Sequence, residues 1–273
     1  MTDRKRMGIS PVSFFLILVT LMPACSDPYA PKGDRRPPLV VAHRGASAAA
    51  PENTIPAVEK AWELGADAVE VDVRVTKDDR IVAIHDRRTG RTTGVDRAVR
   101  KLPYDRLAEM DAGSWFGAEF KGTRIPLLDS LMDHIPPDKE LFIEVKSGPR
   151  TVGLLEGMLA QREVIPRFSI ISFDRRVLGK AKERMPLIPT YWVRPKISSL
   201  GKLIEKAQAS HLNGLNLHQK NFKDGGKVDR IRKAGLHVLS WTVNDRERAR
   251  ELQDMGVGSI TTDKPSVIQR ALD

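Results

Sequence analysis

From residue 39 onward, short apolar runs alternate with longer segments in which apolar residues recur at helical spacing. The apolar runs predict strands and the longer segments predict helices, several of which end at a glycine, a common helix stop. The predicted strands are residues 39–43, 68–73, 81–85, 140–145, 168–172, 188–193, 214–218, 237–243 and 258–262. The predicted helices include residues 54–65, 151–163, 174–185, 227–235 and 245–256.

This alternation predicts the fold class. Strands that are apolar on both faces and separated by helices are typical of a parallel sheet. Roughly eight strand–helix units in about 235 residues match the size of an α/β protein of the (β/α)8 TIM-type barrel class. A doubly wound open sheet is the alternative, but its first turn would carry GxGxxG, whereas residues 43–54 read HRGASAAAPENT. Residues 86–125 interrupt the alternation, and we predict a small insertion there on an early strand–helix loop.

The first residues have the pattern of an export signal. A basic stretch at residues 4–6 precedes an apolar run at residues 12–22, which is short for a membrane span. Cys25, the only cysteine, follows a small residue and resembles the lipidated cysteine of bacterial lipoproteins; the alternative is a chance cysteine in an ordinary signal. We expect an exported, periplasmic or cell-surface protein that is anchored to a membrane at Cys25. Its expected segments are a signal peptide (1–24), a tether (25–38) and a barrel domain (39–273).

The charge balance limits the partners. The chain has 45 Lys and Arg against 35 Asp and Glu, a formal net charge of +10. Basic chains favour anionic partners such as phosphorylated solutes or acidic lipid surfaces. Because the basic residues are scattered and no nucleic-acid-binding motif is present, we expect no nucleic-acid partner.

Acidic residues lie on the predicted strands, near the ends where parallel barrels hold their active sites. Glu70 and Asp72 are two residues apart on one strand, so both point into the barrel. Buried carboxylates this close repel and lose hydration, and they persist only when protonated, ion-paired or bound to a metal. With Glu144 from another strand they would suit one hard divalent cation, Ca²⁺ or Mg²⁺. The alternative is ion pairing with Arg44, Arg74 or Lys146.

Two histidines lie beside these carboxylates. His43 and His85 each end an apolar run, and imidazole titrates near neutral pH, which suits proton transfer. His218 also ends a predicted strand and is a weaker candidate for the same edge of the barrel. Structural roles are expected for the remaining histidines, His134, His211 and His237.

Seven stretches in a fixed order carry a family resemblance. They are HRGASAAAPENT (43–54), EVDVRVTKDDRIVAIHD (70–86), RTTG (91–94), DAGSWFGAEFKGTRIPLLD (111–129), IEVK (143–146), SWTVN (240–244) and TDKP (262–265). Together, over residues 39–267, they resemble the glycerophosphodiester phosphodiesterases. The resemblance implies a TIM-type barrel that binds one divalent cation, often Ca²⁺ or Mg²⁺. It also implies hydrolysis of glycerophosphodiesters to glycerol 3-phosphate and an alcohol.

The resemblance further implies residue roles. His43 and His85 match the family's acid/base histidines, and the matching metal ligands are Glu70, Asp72 and Glu144. The implied substrate-binding residues are Arg44 and Lys146 at the phosphate and Trp241 beside the glycerol. We also expect Gly45 to bring the backbone close beneath the phosphate, Asn53 or Thr54 to cap the first helix, and Trp115 and Phe116 to shape the entrance or pack the insertion.

Three other functions are compatible with parts of this pattern. A lysophospholipase D-type enzyme would use the same residues on lysolipids. A non-catalytic surface lipoprotein would bind phosphodiesters without cleaving them. A glycoside hydrolase would also use paired carboxylates, but two carboxylates on one strand are poorly placed to flank a sugar bond, and the histidines would have no role.

Overall fold

The computed structural model describes residues 37–273, where strands and helices alternate for most of the chain. The strands are β1 (Leu39–His43), β2 (Ala68–Val75), β3 (Ile81–Ala83), β4 (Glu140–Val145), β5 (Arg167–Ser172), β6 (Thr190–Arg194), β7 (Gly214–His218), β8 (His237–Trp241) and β9 (Ser259–Thr262). The helices are α1 (Ile55–Glu63), α2 (Gly90–Thr93), α3 (Tyr104–Ala108), α4 (Leu128–Met132), α5 (Arg150–Leu159), α6 (Arg175–Arg184), α7 (Leu200–Gln208), α8 (Gly226–Lys233), α9 (Arg246–Asp254) and α10 (Pro265–Leu272).

Eight of the strands close into a parallel barrel. Their order is β1-β9-β8-β7-β6-β5-β4-β2, and β1 also pairs with β2 in parallel, which completes the ring. The predicted TIM-type barrel is therefore confirmed. Because all eight strands run the same way, their carboxyl ends meet at one edge, called the mouth below.

Strand β3 corrects one prediction. Residues 81–85 were expected to be a strand of the alternating series, but β3 ends at Ala83 and pairs antiparallel with the end of β2, outside the barrel. The physical reason is the length of the connection, because residues 76–80 are enough for a hairpin and too few for a parallel crossover. The hairpin leads the chain back along β2, and the Ile84 N–H donates to the carbonyl of Asp72 at 2.9 Å. His85 therefore comes after the strand, close to the level of Asp72.

Side chains along β2 point alternately to the apolar core and to the barrel interior. Val69, Val71 and Val73 are fully buried in the main apolar core, which the barrel shares with its helices. Glu70 and Asp72 have the opposite parity and face the barrel interior.

Residues 86–125 contain α2, α3 and two short 3-10 turns, and they add no strand to the barrel. Apolar residues of this segment and of the β3 region form a second, smaller core. Its buried members are Val82, Ile84, Val99, Leu107, Ala112 and Ile125. We call residues 86–125 the insertion below.

The predicted signal peptide, Cys25 and most of the predicted tether precede residue 37 and lie outside the described residues. Among the helices of residues 37–273, none has the length and apolar character that crossing a membrane requires.

Gly45 is required by packing against α1. A Cβ placed on Gly45 would lie 2.5 Å from the carbonyl carbon of Ala57, and the residue has φ +78°. The neighbouring atoms are helix backbone, so the expected role beneath a phosphate is not needed to explain this glycine. Gly94 offers a matched control, since its φ is +70° but nothing lies within 4 Å of its Cβ position.

We expect Gly45→Ala to destabilise the fold by about 2–5 kcal/mol, because backbone strain adds to a clash with α1. Gly94→Ala should cost only about 1–2 kcal/mol, since it has the strain without the clash. Urea unfolding of both variants measures the difference. Equal losses would contradict the packing explanation.

Candidate active site

The loop between β1 and α1 aims several polar groups at the mouth. Arg44 and Asn53 both have left-handed backbone conformations, with φ of 58° and 57°. Such conformations are uncommon outside glycine and often mark functional positions. Thr54 is the N-cap of α1, accepting a hydrogen bond from the Ala57 N–H at 3.4 Å. Asn53 is therefore free for another role: its Nδ2 donates to Asp72 Oδ2 at 3.0 Å, and its Oδ1 accepts from the Asp72 N–H at 2.9 Å.

The three predicted metal carboxylates come together. One oxygen atom from each of Glu70, Asp72 and Glu144 lies within 4.8 Å of the other two, and all three residues are buried. The geometry follows from the barrel, because Asp72 and Glu144 are paired in register on β2 and β4.

Two cations contact the same cluster. Arg44 Nε lies 3.1 Å from Asp72 Oδ2. Lys146 Nζ lies 3.0 Å from Asp72 Oδ1 and 2.5 Å from Glu144 Oε1. The ion pairing that the sequence left as an alternative is thus present for Arg44 and Lys146. Arg74 instead donates from Nε to the carbonyl of His85 at 2.8 Å.

When all three carboxylates are ionised, their negative charge exceeds the positive charge of Arg44 and Lys146. Burial, reinforced by the charge of Asp72, raises the pKa of Glu70 from 4.5 to about 8. Burial and Asp72 also raise the pKa of Glu144. Burial opposes ionisation of Asp72 as well, but Lys146 and Arg44 outweigh it and lower its pKa to about 2. Three carboxylates beside two cations leave room for one more positive charge.

The donor atoms fit a divalent cation. Glu70 Oε1 is buried without a hydrogen-bond partner, and Asp72 Oδ1 and Glu144 Oε1 also lack hydrogen-bond geometry despite their short distances to Lys146. Buried polar atoms normally have partners, so these oxygens are suited to bind a cation. A set of carboxylate oxygens is what Mg²⁺ and Ca²⁺ prefer.

His43 is held by a carboxylate that directly follows the last strand, β9. Its Nδ1 lies 2.7 Å from Asp263 Oδ1, and its Nε2 lies 4.0 Å from Glu70 Oε2. Asp263 is itself fixed, because Ser47 Oγ donates to it at 3.1 Å and Asn244 Nδ2 at 2.6 Å. Burial opposes protonation of His43, yet the hydrogen bond with Asp263 and the charge of Glu70 raise its pKa.

His85 has a similar arrangement. Its Nδ1 lies 2.7 Å from Asp86 Oδ1. Burial, with the positive charge of Arg44, lowers the pKa of His85 although Asp72 acts the other way. The two imidazoles thus have pKa values shifted in opposite directions, which suits a proton donor and a proton acceptor near neutral pH.

The sequence comparisons decide the family. The model of the glycerophosphoryl diester phosphodiesterase family matches residues 43–267. The chain belongs to this family. The YhdW protein of Bacillus subtilis is 39% identical over 233 residues, which cover 84% of this chain and 96% of that protein. A glycerophosphodiester phosphodiesterase of Caldanaerobacter subterraneus is 33% identical, with coverage of 84% and 96%.

Solved structures agree with this assignment. An Oleispira antarctica phosphodiesterase, whose structure contains the product sn-glycerol-3-phosphate, matches with a TM-score of 0.81 and 33% identity. The match covers 87% of this chain and 97% of that one. As a glycerophosphodiester phosphodiesterase, the chain is a phosphoric diester hydrolase.

Aromatic residues line one side of the phosphodiesterase mouth. Trp241, at the end of β8, packs edge-to-face on Phe173 at 5.7 Å and on His218 at 5.1 Å between ring centroids. Phe173 is 41% exposed, and Lys146 Nζ lies 5.3 Å from the centre of its ring. Trp241 therefore lies at the mouth, and Phe173 extends this aromatic surface toward the cluster.

Other candidates lie elsewhere or have structural contacts. His134 Nδ1 lies 2.9 Å from Glu59, and His237 begins β8 at the barrel end opposite the mouth. His211 follows α7 with φ of 53°. Trp115 Nε1 donates to the Ala112 carbonyl at 2.8 Å, and its ring packs on Phe116, so both residues help to pack the insertion.

Asp263 and Asp86, each 2.7 Å from a histidine, were not identified as site residues from the sequence. Asp263 directly follows β9, so an examination of the strand ends, which identified His43, could also have identified Asp263. Asp86 directly follows His85 in the sequence.

Proposed function

We propose that this chain hydrolyses glycerophosphodiesters to glycerol 3-phosphate and an alcohol, with a divalent cation held by Glu70, Asp72 and Glu144 and with His43 and His85 as the proton-transfer groups. The observation that carries this proposal is the buried cluster of three carboxylates, within 4.8 Å of one another, with His43 Nε2 facing it at 4.0 Å. The product bound to the Oleispira antarctica relative supports glycerol 3-phosphate as the product here as well.

The chain's own residues supply charge and orientation. Arg44 and Lys146 place two fixed positive charges at the cluster, suited to the anionic phosphodiester. A bound divalent cation would add Lewis-acid stabilisation of charge on the phosphate oxygens. Trp241 and Phe173 offer an apolar surface for the carbon atoms of the glycerol.

The two histidines account for the proton balance. One takes the proton of the nucleophile, and the other gives a proton to the alcohol oxygen as its bond to phosphorus breaks. The carboxylates Asp263 and Asp86 hold the Nδ1 atoms, which leaves each Nε2 for this exchange. The nucleophile is either the glycerol 2-hydroxyl, which gives a cyclic phosphate that water then opens, or water itself. Trapping of a cyclic phosphate, followed by ³¹P NMR, separates these routes.

A second candidate substrate class is lysolipids. The exposed ring of Phe173 beside Trp241 is the observation that favours it, since an acyl chain would cover apolar surface at the mouth. Cleavage on the headgroup side would release the headgroup alcohol and leave the phosphate on the lipid. An export signal and a lipid anchor at Cys25, which we propose from the sequence, would bring the enzyme close to such substrates.

The test is turnover by the purified chain on a panel of glycerophosphodiesters and lysolipids. We expect release of glycerol 3-phosphate that stops after exhaustive chelation and returns with Ca²⁺ or Mg²⁺. Full activity in the chelated enzyme would contradict the metal assignment. Binding without turnover of any substrate would instead indicate the non-catalytic phosphodiester-binding protein.

A further inference from the structure

Arg91, in α2 of the insertion, makes ion pairs with two carboxylates that also contact site residues. Its Nη1 and Nη2 donate to Glu52 Oε2 and Oε1, both at 2.7 Å, and its Nε donates to Asp86 Oδ2 at 2.6 Å. One guanidinium therefore bridges the loop before α1 and the residue that follows His85.

Each of these carboxylates leads to a different functional group. Asp86 uses its other oxygen, Oδ1, to hold Nδ1 of His85 at 2.7 Å. Glu52 Oε1 accepts a hydrogen bond from Arg44 Nη1 at 3.0 Å, and Arg44 in turn contacts Asp72. Arg91 thus acts on one imidazole and one phosphate-facing cation from outside the reacting centre.

Ion pairs at a surface usually add little stability, and the Arg91 and Asp86 side chains are 44% and 34% exposed, but the pair with Glu52 differs in burial and geometry. The Glu52 side chain is only 11% exposed, and Arg91 binds it through two parallel hydrogen bonds. Such bidentate pairs fix orientation as well as charge. A small cavity lies beside this pair, lined in part by Glu52, His85 and Thr92.

We propose that Arg91 is a positioning residue for the phosphodiesterase reaction, which aligns His85 through Asp86 and Arg44 through Glu52. The inference rests on the proposed roles of His85 and Arg44. It also assigns the insertion a function, since the insertion supplies the group that orients two residues of the barrel mouth.

The matched control is Arg88, which lies in the same insertion and pairs with Asp96 at 2.7 Å, both side chains being well exposed. We expect Arg91→Ala to lower kcat/KM by about 10- to 100-fold, the usual cost of losing an outer partner of a site residue. Arg88→Ala should leave kcat/KM unchanged. The kcat/KM of Arg91→Lys should lie between those of Arg91→Ala and the wild type, because lysine restores the charge but not the two parallel hydrogen bonds of the guanidinium.

The contacts of Arg91 with Asp86 and with Glu52 can be tested separately. Asp86→Asn should mainly lower kcat, and Glu52→Gln should mainly raise KM. In a double-mutant cycle, Arg91→Ala should have a smaller effect on kcat when Asp86 is already replaced. Additive effects in that cycle, or an equal loss from Arg88→Ala, would overturn the proposal.

A second readout does not depend on turnover. The ¹⁵N signals of the His85 imidazole, assigned with His85→Gln, should shift in Arg91→Ala and in Asp86→Asn but not in Arg88→Ala. If the wild type hydrolyses no glycerophosphodiester, the proposed function fails and these signals alone decide whether Arg91 orients His85. An unchanged His85 signal in Arg91→Ala would contradict the inference.

Discussion

Replacing His43 with glutamine is expected to lower kcat for glycerophosphodiesters by about 10²- to 10⁴-fold, the usual contribution of a positioned acid or base. Glutamine retains much of the size of histidine and can still hydrogen-bond to Asp263, so the fold should remain intact. What it loses is the imidazole that we propose exchanges a proton close to the carboxylate cluster. His85→Gln is expected to have an effect of similar size. Steady-state kinetics in the presence of the divalent cation measures kcat for both variants.

The control for these variants is His134→Gln. His134 also pairs with a carboxylate through Nδ1, at 2.9 Å from Glu59, but it lies away from the mouth. Its replacement should leave kcat unchanged. A phosphodiester with 4-nitrophenolate as leaving group distinguishes the two roles, because a good leaving group needs no acid. The variant that recovers activity on that substrate lacks the histidine that acts as the general acid. Near wild-type turnover of glycerophosphodiesters by either variant would refute the assignment of His43 and His85 as the acid and the base.

Glu70→Gln is expected to abolish cation-dependent activity while making the cation-free protein more stable. In the fold, the pKa of Glu70 is about 8 against an ordinary 4.5. The unfolded chain therefore releases this proton at lower pH than the folded chain does, and stability falls as the pH rises from about 4.5 to about 8. Glutamine does not ionise and so avoids this loss. Above pH 8 and with chelator present, the free energy of unfolding of the variant should therefore exceed that of the wild type by a few kcal/mol, the order expected for a pKa shift of this size.

The same substitution removes a proposed metal ligand. Added Ca²⁺ or Mg²⁺ should raise the Tm of the wild type but not of Glu70→Gln, because a ligand that binds only the folded state stabilises it. The kcat/KM should fall by at least about 10²-fold, more than for loss of an outer partner. Glu59→Gln, at an exposed position, is the control and should change neither quantity. A lower Tm for chelated Glu70→Gln at high pH would contradict the excess of negative charge described above.

The barrel and most of the site could be predicted from the sequence because both follow from simple periodicities. Alternation of apolar runs and helical segments gave eight parallel strands, and the parity of Glu70 and Asp72 gave two inward carboxylates. His43 was found because a parallel barrel places strand ends together. Glu144 was expected nearby on the same rule, and its register with Asp72 confirms that expectation.

Asp86 was missed although it is adjacent to His85, but the other missing parts depend on contacts between distant segments. Asp263 meets His43 across 220 residues of chain, and only closure of the barrel brings them together. Arg91 lies in the insertion, where short helices and loops have no periodicity that predicts the direction of a side chain. The atoms nearest to the Cβ position of Gly45 belong to α1, a contact that no periodicity in the sequence indicates.

Strand β3 has a consequence for how the enzyme can vary. His85 is attached to a hairpin outside the ring of eight strands, and it is followed at once by the insertion. The ring can therefore be complete while this histidine is out of place. We expect natural or engineered exchange of residues 86–125 to change the alignment of His85 more than the ring of eight strands, so that turnover could vary while the barrel is kept.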